Sequence, residues 1–156
     1  MEVFIEIPKN SNIKYEYDKE SDKIFVDRVI HNTNTYPYNY GFIPNTLAPD
    51  NDPIDVILIS DHIYIPGCTI KCKVIGGIYT SDENGQDDKI FCVPIDKIDP
   101  KSVYINNISD INDYTLSNIK YFLKHYKDNE NKKVIIGDIY DKESALKFID
   151  RYSFNI

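Results

Sequence analysis

The chain has 156 residues and 18.2 kDa, a length that suits one domain with a real hydrophobic core and predicts a single unit over residues 1–156. Hydrophobic residues at 42% and charged ones at 28% exclude a disordered, collagen-like or coiled-coil chain. The 18 Lys+Arg against 25 Asp+Glu give −7 at pH 7, so no excess of cations is available to neutralise phosphates. Nucleic acid and anionic membrane are therefore not expected partners, whereas cations are.

In chain order, Val3 to Ile7 reads as a strand that stops at Pro8, Ile13 to Tyr17 alternates with polar partners, and Lys23 to Ile30 follows the turn-forming Ser21-Asp22. Further strands are expected at Ile54 to Ile59, Thr69 to Ile75 and Asp88 to Val93, each rich in Ile and Val and bounded by Pro, Gly or Asp. The period then changes. Leu116, Ile119, Phe122, Leu123 and Tyr126 fall on one helical face after a cap at Asp113 or Thr115. A strand over Lys133 to Ile136 and a helix from about Lys142 to Tyr152, capped by Asp141 and burying Leu146, Ile149 and Phe148, complete the chain. The expected fold class is α+β: a small antiparallel OB-like β-barrel with two flanking α-helices.

No segment approaches eighteen uninterrupted apolar residues, so no membrane-spanning helix is expected. Glu2 and Glu6 interrupt any apolar leader, and Cys68, Cys72 and Cys92 are an odd set that fits a reducing compartment. The expected location is cytoplasmic. His31, His62 and His125 show no metal spacing with these thiols, which read as apolar packing residues.

The densest chemistry is Asp50-Asn51-Asp52-Pro53-Ile54-Asp55. In an extended segment Asp50 and Asp52 point to one side, and the turn at Pro53 brings Asp55 back toward them. Carboxylates this close repel one another without a cation, and hard oxygen ligands suit Mg²⁺. An EF-hand frame from Asp50 fails, because Asp55 stands where glycine is needed and Asp61 where glutamate is. A second acidic loop runs from Asp82 to Lys89; its Asn84-Gly85 is a hairpin signal that would set Asp82 opposite Asp87. Should the two loops meet in space, five or more carboxylates would surround one cleft and suit two or more metal ions. Lys14 and Glu16 share a strand face, Arg28 sits among apolar neighbours, Tyr36 to Gly41 is an aromatic turn, and Tyr126-Lys127 ends the long helix. Such cations and phenols are the donors that phosphate oxygens require, so the whole set has the composition of a phosphoryl-transfer site.

At these residues the chain resembles a family I soluble inorganic pyrophosphatase, nearly end to end from Val3 to about Tyr152. DNDPIDV (50–56) agrees with that family's signature, and IEIP (5–8), IKYE (13–16), VDR (26–28), YPYNYGFIP (36–44), the Asp82–Lys89 loop and HYK (125–127) follow with family-like spacing. The resemblance implies hydrolysis of pyrophosphate to two phosphates by a metal-activated water in direct in-line attack, with several Mg²⁺ per site. It implies that Asp50, Asp55 and Asp87 hold the activating metal and that Asp55 bridges to a second. It also implies that Asp52 accepts the proton of the attacking water and that Asp82 and Glu6 help hold further metals. Lys14, Arg28, Tyr40, Tyr126 and Lys127 would contact phosphate, with Glu16, Tyr36 and Lys89 supporting. The chain has the length of the family's short members, so a homohexamer is expected in preference to a dimer.

Two other readings compete. A hydrolase of another phosphate anhydride would use similar groups, but the REUxEE core of a Nudix enzyme is absent from the sequence. An OB-type binding module for single strands wants a basic groove with stacking aromatics; the 13 tyrosines allow it and the −7 charge opposes it.

Overall fold

Alternating Ile and Val runs become strands, and the capped periodic segments become helices, in a computed structural model that describes residues 1–154. The strands are β1 (Glu2–Ile7), β2 (Ile13–Asp18), β3 (Lys23–Val29), β4 (Asn39–Phe42), β5 (Asp55–Leu58), β6 (Thr69–Asp82), β7 (Gly85–Gln86), β8 (Lys89–Pro94) and β9 (Ile135–Asp141). The helices are α1 (Asp113–His125) and α2 (Lys142–Arg151), preceded by two short 3₁₀ turns at Pro100–Tyr104 and Ile108–Asp110. A third 3₁₀ turn, Asp128–Glu130, follows α1. Among the described residues no helix is long and apolar enough to cross a membrane.

Five strands pair in the order β1-β4-β5-β8-β6, and β6 pairs back onto β1 to close the ring. This is the OB-like arrangement expected, with one correction: β5 and β8 run parallel, in the register Asp55↔Lys89 to Leu58↔Cys92. The long β6 turns back through the tip at Asp82–Gly85, and the returning β8 enters between β6 and β5 in the direction of β5. One side of the ring strands converges on an apolar cluster that includes Val3, Ile5, Val56, Leu58, Ile70, Cys72, Val74, Ile90 and Cys92, closed by α2. The other side, with Ile7, Ile57, Ile75, Ile78, Phe91 and Val93, is covered by Ile119, Phe122 and Leu123 of α1. The hairpin β2–β3 stands apart from the ring, and β9 extends it beyond β6.

Gly41 shows why the ring can close so tightly. It lies between Ile5 and Val56 in adjacent strands, and a Cβ there would fall 1.9 Å from the Phe4 carbonyl oxygen. Only a residue without a side chain permits that approach.

Four local expectations shift. The segment 39–42, read as part of an aromatic turn, is a paired strand, because Asn39 is buried and bonds the chain on both sides through its side chain. Asn112 and not Asp113 or Thr115 caps α1, its side chain accepting from Thr115 N at 2.8 Å. The late strand lies at 135–141 and not 133–136, since it follows β6 to its middle. In α2 the docking stripe is Ala145, Phe148, Ile149 and Tyr152 at i, i+3, i+4 and i+7, which leaves Leu146 41% exposed. A small residue at the contact lets the helix sit close.

Candidate active site

The first acidic loop is built by nearby backbone and the Thr46 side chain, on a segment that Leu47 N ties to Tyr152 O. Thr46 Oγ1 donates to Ile43 O at 2.7 Å and accepts from Ile54 N at 2.9 Å, while Ala48 N donates to Asp52 O and Asn51 N to Ala48 O. Asn51 takes a left-handed conformation, φ 70°, which asparagine tolerates better than most side chains. The resulting turn keeps Asp50 and Asp55 near enough for their charges to act on Asp52. Partial desolvation, then the Asp50 and Asp55 charges, raise the Asp52 pKa above the usual carboxylate value.

The second loop is pinned to β6. Ser81 faces Gln86 and Asp82 faces Gly85, so the turn residues are Glu83-Asn84 and Asp82 does not oppose Asp87, contrary to the sequence reading. Asp87 sits instead against Thr80: its N–H donates to Thr80 O at 2.8 Å, and the Thr80 hydroxyl donates to Asp87 O. The two loops meet through the parallel pair. Asp55 and Lys89 are register partners, and Asp87 lies two residues before Lys89 on the same side. Lys89 Nζ donates to Asp55 Oδ2 at 2.7 Å and to Asp87 Oδ2 at 2.6 Å.

One ammonium thus faces two carboxylates in a buried place. Burial works against the Lys89 charge, yet Asp55 and Asp87 together hold its pKa well above the ordinary lysine value. Burial, reinforced by the Asp55 charge, outweighs Lys89 at Asp87 and pushes its carboxyl up to about 8. Glu6, on β1, is likewise pushed up to about 8 by burial, with Asp55 and Glu16 adding to it and the Tyr17 N–H at 2.9 Å opposing it.

Around these acids stand the cations and phenols. Lys14 lies 3.4 Å from Glu16 and 3.3 Å from Asp27; burial lowers its pKa, and Glu16 with Asp27 and Tyr126 more than reverses this. Arg28 pairs with Asp27 at 3.2 Å and with Glu130, and Lys127 approaches Asp82 at 3.4 Å. Tyr36 stacks edge-on against Tyr40 and lies 6.2 Å from Tyr126, so three phenols wall one side; desolvation lifts the pKa values of Tyr36 and Tyr40 well above normal. Asp82, Asp87, Lys89, Tyr126 and Lys127 line one small cavity together with Thr80.

Five of the candidates named from the sequence line this cavity, and Glu6, Lys14, Glu16, Arg28, Tyr36, Tyr40, Asp50, Asp52 and Asp55 are near enough for their charges to act on one another or on these. Three neighbours were not foreseen: Asp27, Glu130 and Thr80. Glu130 is 102 positions from Arg28, and no local pattern announces such a pairing. Among the described residues no three carboxylates, imidazoles or thiols converge as a ready cage; the Lys89 ammonium holds Asp55 and Asp87 instead. The donor set nonetheless fits hard divalent cations. Its oxygens are all carboxylate, and Asp50, Asp55 and Glu16 raise the affinity of their neighbours for positive charge.

A sequence profile described as inorganic pyrophosphatase matches residues 3–155. The inorganic pyrophosphatase of Helicobacter pylori strain 26695 is 47% identical over 150 residues, covering 96% of this chain and 87% of that one. That of Saccharolobus solfataricus is 47% identical over 154 residues, covering 96% and 90%. The solved structure of a Helicobacter pylori inorganic pyrophosphatase superposes with a TM-score of 0.95 at 46% identity, covering 97% of this chain and 90% of that chain. The family implies a divalent metal cofactor, in accord with the all-oxygen donor set. With the profile spanning nearly all of the sequence and the fold coinciding throughout, the chain belongs to the family I inorganic pyrophosphatases.

Proposed function

We propose that residues 1–156 act as one catalytic unit that hydrolyses inorganic pyrophosphate to two phosphates, with several Mg²⁺ ions per site. The observation that carries the reading is the convergence of two acidic loops, through the Asp55↔Lys89 register, beneath a wall of phosphate-type donors. Asp50, Asp55 and Asp87 would hold the activating metal, and Asp82 and Glu6 would help hold further ions. When bound, those ions supply charge neutralisation for the phosphates and lower the pKa of the attacking water.

The chain's own groups do the rest. Asp52, exposed at the loop tip and raised by partial desolvation and then by the Asp50 and Asp55 charges, would accept the proton of that water. Lys14, Arg28 and Lys127 exchange their carboxylate partners for phosphate oxygens, and Tyr40 and Tyr126 donate hydroxyls from the aromatic wall. Glu16 holds Lys14, Tyr36 backs Tyr40, and Lys89 neutralises Asp55 and Asp87. A net charge of −7 is compatible with this anion because the positive groups are gathered in the cleft.

Phosphate release from pyrophosphate, with and without Mg²⁺, for wild type and Asp52→Asn tests the proposal. Metal-dependent release in the wild type and a loss of roughly 10²–10⁴-fold in the variant are expected, the range typical of a positioned proton acceptor. A folded, metal-loaded wild type inert toward pyrophosphate would overturn it and turn the search to another phosphate anhydride. A homohexamer in the cytoplasm accompanies the reading: exposed Tyr114 and Tyr121 on α1 offer an apolar contact surface, and the three cysteines are unpaired. Sedimentation showing a stable monomer or dimer would remove the hexamer.

A further inference from the structure

We propose that Asp88 and Tyr140 are a positioning pair that fixes the Asp82–Lys89 loop from behind and thereby sets the metal affinity of Asp87. The proposal rests on the pyrophosphatase reading of the cleft. Between β7 and β8, Asp87 bonds Lys89 in the cleft while its neighbour Asp88 turns away to Tyr140 of β9. There Asp88 is buried, 3% exposed. Tyr140 Oη donates to Asp88 Oδ2 at 2.8 Å and Gln86 Nε2 donates to Oδ1 at 3.2 Å, so both carboxylate oxygens are engaged. A buried acid is costly, and a packed apolar residue would serve packing alone more cheaply.

The reach of Tyr140 depends on a third residue. Tyr140 is the register partner of Gly77 on β6, and a Cβ at Gly77 would stand 2.5 Å from the Tyr140 ring. Without one, the ring lies across β6 and its hydroxyl reaches the start of β8, 52 positions away in sequence. Between Gln86 and Asp88, the Asp87 backbone is already bonded to Thr80 through both its N–H and its carbonyl. The loop is therefore held from β6 by its main chain and from β9 by Asp88, and the Asp87 carboxylate keeps one direction, into the cleft. Partners behind a metal ligand act in this way to fix its orientation.

Direct Mn²⁺ binding by calorimetry without pyrophosphate, the Mg²⁺ concentration for half-maximal hydrolysis, and the melting temperature are measured for Tyr140→Phe, Asp88→Ala, Asp88→Asn and the double variant Asp88→Ala/Tyr140→Phe. Tyr140→Phe, which removes one hydroxyl, is expected to weaken Mn²⁺ binding and raise the Mg²⁺ requirement about tenfold, the low end for a ligand-orienting partner. Hydrolysis at saturating Mg²⁺ should stay near the wild-type rate. Asp88→Ala/Tyr140→Phe should be no worse than Asp88→Ala, and Asp88→Asn, whose oxygen still accepts from Tyr140, should recover much of the loss. Unchanged Mn²⁺ affinity in both Tyr140→Phe and Asp88→Ala, with only the melting temperature lowered, overturns the proposal while leaving the enzyme reading intact. A wild type that binds Mn²⁺ and hydrolyses nothing removes the enzyme reading, and the Mn²⁺ comparison among the variants still decides the pair.

Discussion

The two acidic loops reach the same cleft by opposite routes. Asp50 to Asp55 is shaped by near neighbours, Thr46, Ala48 and the left-handed Asn51, with the segment before it tied to the chain's end at Tyr152 and Phe154, and its Asp52 is exposed. Asp82 to Lys89 is held across its own hairpin by Thr80 and at long range by Tyr140 from another strand, and its Asp88 and Lys89 are buried. Charge at Asp52 is thus cheap to change and charge at Asp88 or Lys89 is not, because water screens the first and the low-dielectric interior leaves the others unscreened.

Replacing Lys89 should give the largest effect. Lys89→Met leaves Asp55 and Asp87 facing each other without their shared ammonium, and breaking a buried pair costs about 3–5 kcal/mol. For a chain of this length that is roughly 6–20 °C in the melting temperature of metal-free protein. Added Mg²⁺ should restore part of the loss, since a cation takes up the same charge. Asp52→Asn in the first loop should move the same melt by less than about 2 °C, as exposed substitutions do. Equal losses in the two variants would break the contrast.

A pH titration sharpens it. Glu6 and Asp87 are both raised to about 8 in the folded chain. A raised acid contributes stability that is fully present below its unfolded value, near 4, and is lost as pH rises through its folded value. Metal-free protein should therefore be less stable at pH 8.5 than at pH 5. Asp18, Asp61, Asp110 and Asp141 are shifted down, so their losses fall at lower pH and do not mask this window. Saturating Mg²⁺ should flatten or invert the trend, because metal binding requires the ionised carboxylates. Thermal melts at several pH values with chelator and with Mg²⁺ check both signs; a metal-free protein more stable at pH 8.5 than at pH 5 contradicts the reading.

The same divide explains what could be read from the chain beforehand. Strands rich in Ile and Val, the period-3.6 face of α1 and the carboxylates of the first loop are local patterns, and they stand where the sequence places them. The parallel β5–β8 pair, the Arg28–Glu130 contact and the Tyr140–Asp88 bond join positions that no local pattern links. In α2 the apolar count favoured Leu146, yet docking selects the small Ala145, because closeness of approach and not hydrophobicity decided that contact. The hairpin tip was misplaced by one residue for a related reason: Asn84-Gly85 is a good turn pair, but the Thr80–Asp87 bonds set the register.

The smallest effect should come from Asn51, and it tests whether the first loop is self-contained. Its φ of 70° is costly for a side chain without a local polar group, by roughly 1–2 kcal/mol. Asn51→Ala should lower stability by about 1 kcal/mol in denaturant titration, while Asn51→Gly should lie within about 0.5 kcal/mol of wild type. The turn also aligns Asp52 N to donate to Asp50 Oδ1 at 3.2 Å, so Asn51→Ala should weaken Mg²⁺ activation modestly and Asn51→Gly should not. Because the bonds that form this turn run to Ile43, Ile54 and the Tyr152–Phe154 segment, and none of them reaches Glu6 or Asp87, neither variant should alter the pH dependence set by Glu6 and Asp87. A shifted pH profile in Asn51→Ala would show that the two loops are coupled through their backbones and not only through the metals and Lys89.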